Sequence, residues 1–214
     1  ATAWVPSEEQ VSRLLSAPRR DTMGGLRDGL VLELLYGTGL RRGELFSLDL
    51  NDWHSERAGI WVAQGKGDKP RFQPVGEHLA ELLQNYQKDV RPWLSRQDAE
   101  PALLLDSDGK RFPYYRLSLC LERYCKLAGV PTIAPHALRR AFATHLLLRG
   151  AELHEVQALL GHANPQVTQR YTKIEVVDLL REYRRTHPRA NLHRLPGGPK
   201  PLVRKHKNPL PGLA

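Results

Sequence analysis

The segment HALRRAFATHLL, residues 136–147, opens an apolar helical pattern with two polar groups three residues apart, His136 and Arg139. Residues at that spacing share one helix face. Three other stretches carry polar groups where the local pattern is apolar. GTGLRRGEL (37–45) sets Arg41 and Glu44 three apart, and QGKGDKPR (64–71) holds Lys66 between glycines. LLGHANPQVTQRYTKIE (159–175) spaces His162 and Tyr171 nine positions apart. Such residues have a chemistry in common. A guanidinium group offers a planar donor fork that meets two phosphate oxygens at once, imidazoles move protons near neutral pH, and a phenol relieved of its proton is a nucleophile. Each stretch alone also has a plain reading. Arg41–Glu44 could be a surface ion pair of little worth, Lys66 a solvated turn residue, His136 a helix cap beside a surface arginine, and Tyr171 a packed ring with a satisfied hydroxyl. It is their order along the chain that sets them apart.

The elements that must hold these residues are mostly helices. Ser7-Glu8-Glu9-Gln10 has the layout of a capping box before a short helix with Val11, Leu14 and Leu15. A second helix runs through Leu26, Leu30, Leu34 and Leu35, with Gly37 and Gly39 as its stop. Residues 40–48 read as helical again. The one clear β signal is IWVAQGKGDKPRFQPV (60–75), two short runs about a Gly67-Asp68 turn, the second placed on a sheet edge by Pro70. Helices are predicted at 76–90, 113–129, 135–149, 152–160 and 174–186. In the 135–149 helix, Leu138, Phe142 and Leu146 form the buried stripe with Ala141, His145 and Leu148 alongside. Pro135 suits a first turn and Gly150 a C-terminal stop. The fold class is mainly α with a small antiparallel β-sheet or hairpin.

A chain of 214 residues can bury a substantial core; residues 1–187 read as one domain and 188–214 as a basic, Pro/Gly-rich disordered tail. The net charge of +9 is localised. Eight of the 32 Lys and Arg residues lie from Arg184 onward, where there is no acid, leaving 24 basic against 23 acidic residues before it. A polyanionic partner is expected, but a site in the body has to come from arrangement. No apolar run reaches the roughly 18 residues of a membrane span, and the N-terminal residues lack a signal-peptide layout. The two cysteines, Cys120 and Cys125, fall on one helix and read as reduced thiols of a cytoplasmic protein. No carboxylate cluster for a magnesium pair and no histidine–acid motif for zinc is visible, so no metal or other cofactor is expected.

In these motifs the chain resembles the tyrosine recombinases, or phage-integrase family, and among them the Xer-type enzymes. The similarity spans roughly residues 5–190. Arg41 and Glu44 in TGLRRGEL match the first arginine box, Lys66 in GKGDKPR the β-hairpin lysine, and His136 with Arg139 in HALRRAFATHLL the second box. His162 in LLGHANP and Tyr171 in TQRYTKI match the later histidine and the nucleophile, and HPRA (187–190) resembles the end of Xer proteins. Arg140-Ala141 stand where the family often has His-Ser, and Gly43 where serine is frequent. The N-terminal core-binding domain of these enzymes has no counterpart in this chain.

The resemblance implies a tyrosine recombinase catalytic-domain fold and DNA strand cleavage by transesterification. Arg41 and Arg139 would clamp the scissile phosphate, Glu44 would orient the site, and Tyr171 would attack to give a 3′-phosphotyrosyl bond and a free 5′ hydroxyl. His136 would accept or relay the phenolic proton and His162 would bond a phosphate oxygen, two roles that could be partly exchanged. Lys66 would protonate the leaving oxygen; Lys69 competes for that role, and only the family match favours Lys66. Arg42, Lys69, Arg71 and Arg140 are further DNA-binding candidates. The implied partner is double-stranded DNA, bound by a homo- or hetero-tetramer. The 174–186 helix, with Val176, Val177, Leu179, Leu180 and Tyr183 along one side, would exchange between protomers or pack on its own domain. Two rivals are a strand-relaxing enzyme of the type IB topoisomerase kind and a non-catalytic DNA-binding remnant or regulatory domain.

Overall fold

The computed structural model describes residues 4–63, 70–95, 100–161 and 173–190. In chain order these form α1 (Glu8–Ser16), α2 (Met23–Thr38), α3 (Arg42–Ser47), β1 (Trp53–His54), β2 (Gly59–Val62), β3 (Arg71–Pro74), α4 (Glu77–Asn85), α5 (Arg91–Leu94), α6 (Arg116–Ala128), α7 (Pro135–Leu148), α8 (Leu153–Leu160) and α9 (Lys173–Thr186). A single π-helical stretch, Tyr86–Val90, joins α4 to α5. The mainly helical expectation holds, and the sheet has one strand more than expected: β1 pairs antiparallel with β2, and β2 with β3 in the register Ile60↔Gln73 and Val62↔Arg71. β3 is an edge strand, as Pro70 suggested. The Gly67-Asp68 turn lies outside the described residues.

Local chemistry accounts for the element ends. Ser7 and Gln10 close a reciprocal capping box on α1 at 3.2 and 2.9 Å, satisfying two backbone donors that a helix start leaves unpaired. Pro135 occupies the first turn of α7, where a missing N–H costs nothing. Gly37 does not end α2 as the sequence suggested. It stays helical, and Gly39 is the left-handed cap at φ +62°. A Cβ on Gly39 would meet the Phe142 ring at 2.5 Å, so both the backbone angle and the close approach of α7 require glycine here.

α7 lies between two apolar clusters. Ala137, Leu138 and Ala141 belong to the main core with α1, α2, α4 and α6, whereas Phe142 and Leu146 pack with Val156, Leu159, Leu160 and Tyr183. A helix buried on several sides has a rigidly fixed N-terminal end, and that end carries His136, Arg139 and Arg140. The predicted stripe is right except at Leu148, which is 76% exposed. Both cysteines are free and buried on α6. No helix among the described residues is long and apolar enough to cross a membrane.

The expected break at residue 187 falls too early, because residues 188–190 are packed on the body. Arg189 forks onto the buried Glu33 of α2, its Nε at 2.6 Å. The backbone of Ala190 accepts the Glu77 N–H and comes so close to Gly76 that a Cβ there would lie 2.7 Å from the Ala190 Cα. Paired burial of the Arg189 guanidinium explains why a basic, proline-flanked segment is held down. The remainder of the tail lies outside the described residues. α9 is seated in its own domain at Tyr183, whose ring is buried and whose hydroxyl donates to the Gly37 carbonyl at 2.7 Å.

His187 is enclosed by aromatic rings: it stacks on Tyr183 with centroids 4.8 Å apart and lies 5.1 Å from Tyr36 and 5.3 Å from Phe142. Burial in this cage pushes its pKa down to about 3. An unfolded chain takes up a proton on this imidazole below about pH 6.5 while the folded chain does not. Stability is therefore complete above that pH and declines as pH falls from about 6.5 toward 3, by about 2 kcal/mol at pH 5. Urea unfolding of the wild type and of His187→Leu at pH 7.5 and 5 checks this: the variant should lose about 2 kcal/mol less on acidification. Equal losses in the two proteins would contradict it.

Candidate active site

Glu44 lies in the first turn of α3, one helical turn from Arg41, and is 7% exposed. Its carboxylate gathers three arginines, Arg41 from the same turn and Arg71 and Arg139 from distant parts of the chain. Oε2 accepts the Arg41 backbone N–H at 2.7 Å and Oε1 the Arg41 guanidinium at 3.2 Å. Arg71, at the start of β3, makes a fork–fork pair with it at 2.8 and 2.9 Å. Arg139 from α7 brings Nη1 to 3.9 Å from Oε2. Burial works against the charge on Glu44, but the Arg71 hydrogen bonds and charge, the Arg41 N–H and the Arg139 charge outweigh it and hold the carboxyl below its ordinary pKa. Among the described residues three guanidinium groups face one carboxylate, an arrangement that suits an anion.

Backbone carbonyls fix the arginines further. Arg139, 9% exposed, donates from Nη1 to the Gly39 carbonyl and from Nη2 to the Leu160 carbonyl at 2.6 Å. Arg71 Nε donates to the Leu159 carbonyl at 3.1 Å. Leu159 and Leu160 close α8, so two arginines occupy carbonyls that a helix leaves without partners at its negative end. Gly161 then caps α8 at φ +70°, and a Cβ there would sit 2.7 Å from Arg71 Nη1. The glycines of TGLRRGEL and LLGH thus do related work: Gly39 supplies a carbonyl to Arg139, and Gly161 makes room for Arg71.

The described residues therefore bring Arg41, Glu44 and Arg139 together. His136 is exposed in the first turn of α7, on the face of Arg139 by its spacing. Lys66, Lys69, His162 and Tyr171 lie outside the described residues; His162 directly follows Gly161 in the chain. Two of the DNA-binding candidates are tied elsewhere. Arg140 is exposed, with Nη2 3.2 Å from the Trp4 carbonyl, and Arg42 lies over the Tyr114 ring, 4.9 Å from its centroid, beside a shallow cleft lined by Phe46 and Phe112. Arg71 must be corrected: at 5% exposure, with Glu44 and Leu159 as partners, it is an internal brace and not an open phosphate contact. The pleat carried the signal, since Arg71 shares a strand face with the fully buried Gln73. Among the described residues no group of three or more His, Cys, Asp or Glu side chains could hold a metal ion.

The model of the phage integrase family matches residues 5–176, most of the chain and all of the cluster above. The chain belongs to the phage integrase family. It is 40% identical over 187 residues to tyrosine recombinase XerC of Staphylococcus haemolyticus (strain JCSC1435), covering 86% of this chain and 61% of the relative. Over 186 residues it is 40% identical to tyrosine recombinase XerD of Yersinia pestis, covering 86% and 62%. The crystal structure of XerA recombinase superposes with a TM-score of 0.69 at 30% identity, covering 86% of this chain and 65% of that one. This phage integrase family member thus has the tyrosine recombinase catalytic-domain fold and spans about three-fifths of the length of the curated relatives it matches.

Proposed function

We propose that this chain is the catalytic part of a site-specific DNA recombinase that cuts one strand by transesterification. The observation that carries the reading is the convergence of Arg41 and Arg139 on the buried Glu44. A buried carboxylate that holds Arg41 within its own turn, with Arg139 brought in from α7 and fixed to two carbonyls, is a preorganised site for the charge that grows on a phosphoryl oxygen. The family named on the matching relatives, tyrosine recombinase, supplies the nucleophile by type.

In this reading the Tyr171 oxygen attacks phosphorus, the bond from phosphorus to the 5′ oxygen breaks, and a 3′-phosphotyrosyl bond forms. A phenol is a nucleophile only once relieved of its proton, and in this reading that proton passes to His136. Lys66 protonates the departing 5′ oxygen, and His162 bonds a non-bridging oxygen. Arg41 and Arg139 hold the phosphate, and the 5′ hydroxyl of a second strand reverses the sequence to complete exchange. The energy of the phosphodiester is kept in the tyrosyl ester, so the balance closes without ATP. The reaction takes place in the cytoplasm on double-stranded DNA within a homo- or hetero-tetramer.

A library of nicked duplexes tests the reading. The short 5′-hydroxyl fragment diffuses away after cleavage, trapping protein on DNA, and sequencing of trapped duplexes is expected to return one preferred site. Recovery of no covalent adduct from any duplex would overturn it.

A further inference from the structure

We infer that Arg71 is a positioning residue for the phosphate clamp: it occupies Glu44 so that Arg41 and Arg139 stay presented to substrate. The inference rests on the recombinase reading and goes beyond it, because Arg71 need not touch DNA. Three observations carry it. The guanidinium binds both Glu44 oxygens at 2.8 and 2.9 Å, closer than the side chain of either other arginine. Its third donor, Nε, holds the Leu159 carbonyl at 3.1 Å. The left-handed Gly161 leaves the space that the Arg71 head group fills, with Nη1 2.7 Å and Cδ 3.1 Å from where a Cβ would stand.

The consequence is electrostatic. A buried carboxylate seeks the nearest cations, and with Arg71 removed those are Arg41 at 3.2 Å and Arg139 at 3.9 Å. Glu44 would then turn its full charge on the clamp, drawing both forks inward and cancelling part of the positive charge meant for phosphate. Arg71 also joins β3 to α8 at Leu159, two residues before Gly161, so it sets the distance between the arginine box of α3 and the C-terminal end of α8.

The test uses the full chain and a duplex carrying the trapped site, with Arg71→Met removing the charge and Arg71→Lys keeping it without the fork. Displacing catalytic groups by about 1 Å costs on the order of 10²-fold in rate. Arg71→Met is expected to cleave roughly 10²-fold slower in single turnover, with DNA affinity within about twofold of wild type because binding is spread over many phosphates. Arg71→Lys is expected to recover only part of the rate. A second substrate carries a methylphosphonate at the scissile position, which removes the negative charge the clamp answers. There the deficit of both variants is expected to shrink to less than about a quarter of its size on normal DNA. A brace that merely holds the fold together would slow both substrates equally. An equal deficit, or variants within threefold of wild type, overturns the inference alone, and Arg71→Lys gives the same reading if Arg71→Met does not fold. A wild type that cleaves neither duplex overturns the recombinase reading and this inference with it.

Discussion

Replacing Tyr171 by phenylalanine is expected to abolish covalent protein–DNA adducts while leaving duplex binding within about twofold. The ring is kept and only the phenolic oxygen is lost, and that oxygen is the atom that would join phosphorus. No other group in the account can take its place, because the histidines are assigned to proton transfer and phosphate contact and the arginines are not nucleophiles at any ordinary pH. Affinity should survive, since it comes from many phosphate contacts made by basic side chains. Gel separation of denatured complexes after incubation with nicked duplex checks this. Adducts persisting in the variant at more than a few per cent of the wild-type level would name another nucleophile.

Arg139→Lys is expected to lower single-turnover cleavage by about 10²- to 10³-fold, the usual cost of losing one preorganised donor to a developing oxyanion. The charge is retained in this variant, so the loss would come from geometry. Arg139 joins the Gly39 carbonyl at the end of α2 to the Leu160 carbonyl at the end of α8, beside Glu44. An ammonium is a single point on a flexible stem and cannot span both carbonyls while presenting a planar edge to phosphate. The freed carbonyl would also be left buried, so thermal stability should fall by about 1–3 kcal/mol. Cleavage within a few fold of wild type would show that the fork is not what holds the phosphate.

The fold was largely legible because helix caps and apolar spacing are local. Ser7 and Gln10, Pro135 and the Leu138–Phe142–Leu146 stripe each announce themselves within a few residues. Gly37 misled because a glycine two residues before the true cap reads the same in sequence, and only the approach of Tyr183 to its carbonyl shows why it stays helical. Leu148 misled because it continues the apolar pattern beyond the point where anything packs on it.

Arg41, Glu44 and Arg139 were legible as types, and Arg71 was not, for a physical reason. A basic residue beside a hairpin reads as a DNA contact unless one knows that a buried carboxylate 27 positions earlier faces it. The same limit hid Arg189, whose partner Glu33 lies 156 positions away. Long-range ion pairs leave no periodicity behind. A buried acid within an arginine-rich box is the one hint, because an unpaired carboxylate in a core is so costly that a cation must come from somewhere.

Peptide mapping of the adduct trapped on a nicked duplex would judge the central claim most directly. After nuclease and protease digestion, mass spectrometry should find a single nucleotide attached through its 3′ phosphate to the peptide that contains Tyr171. A nucleotide on any other residue, or one linked through its 5′ phosphate, would contradict the assignment of nucleophile and leaving group alike.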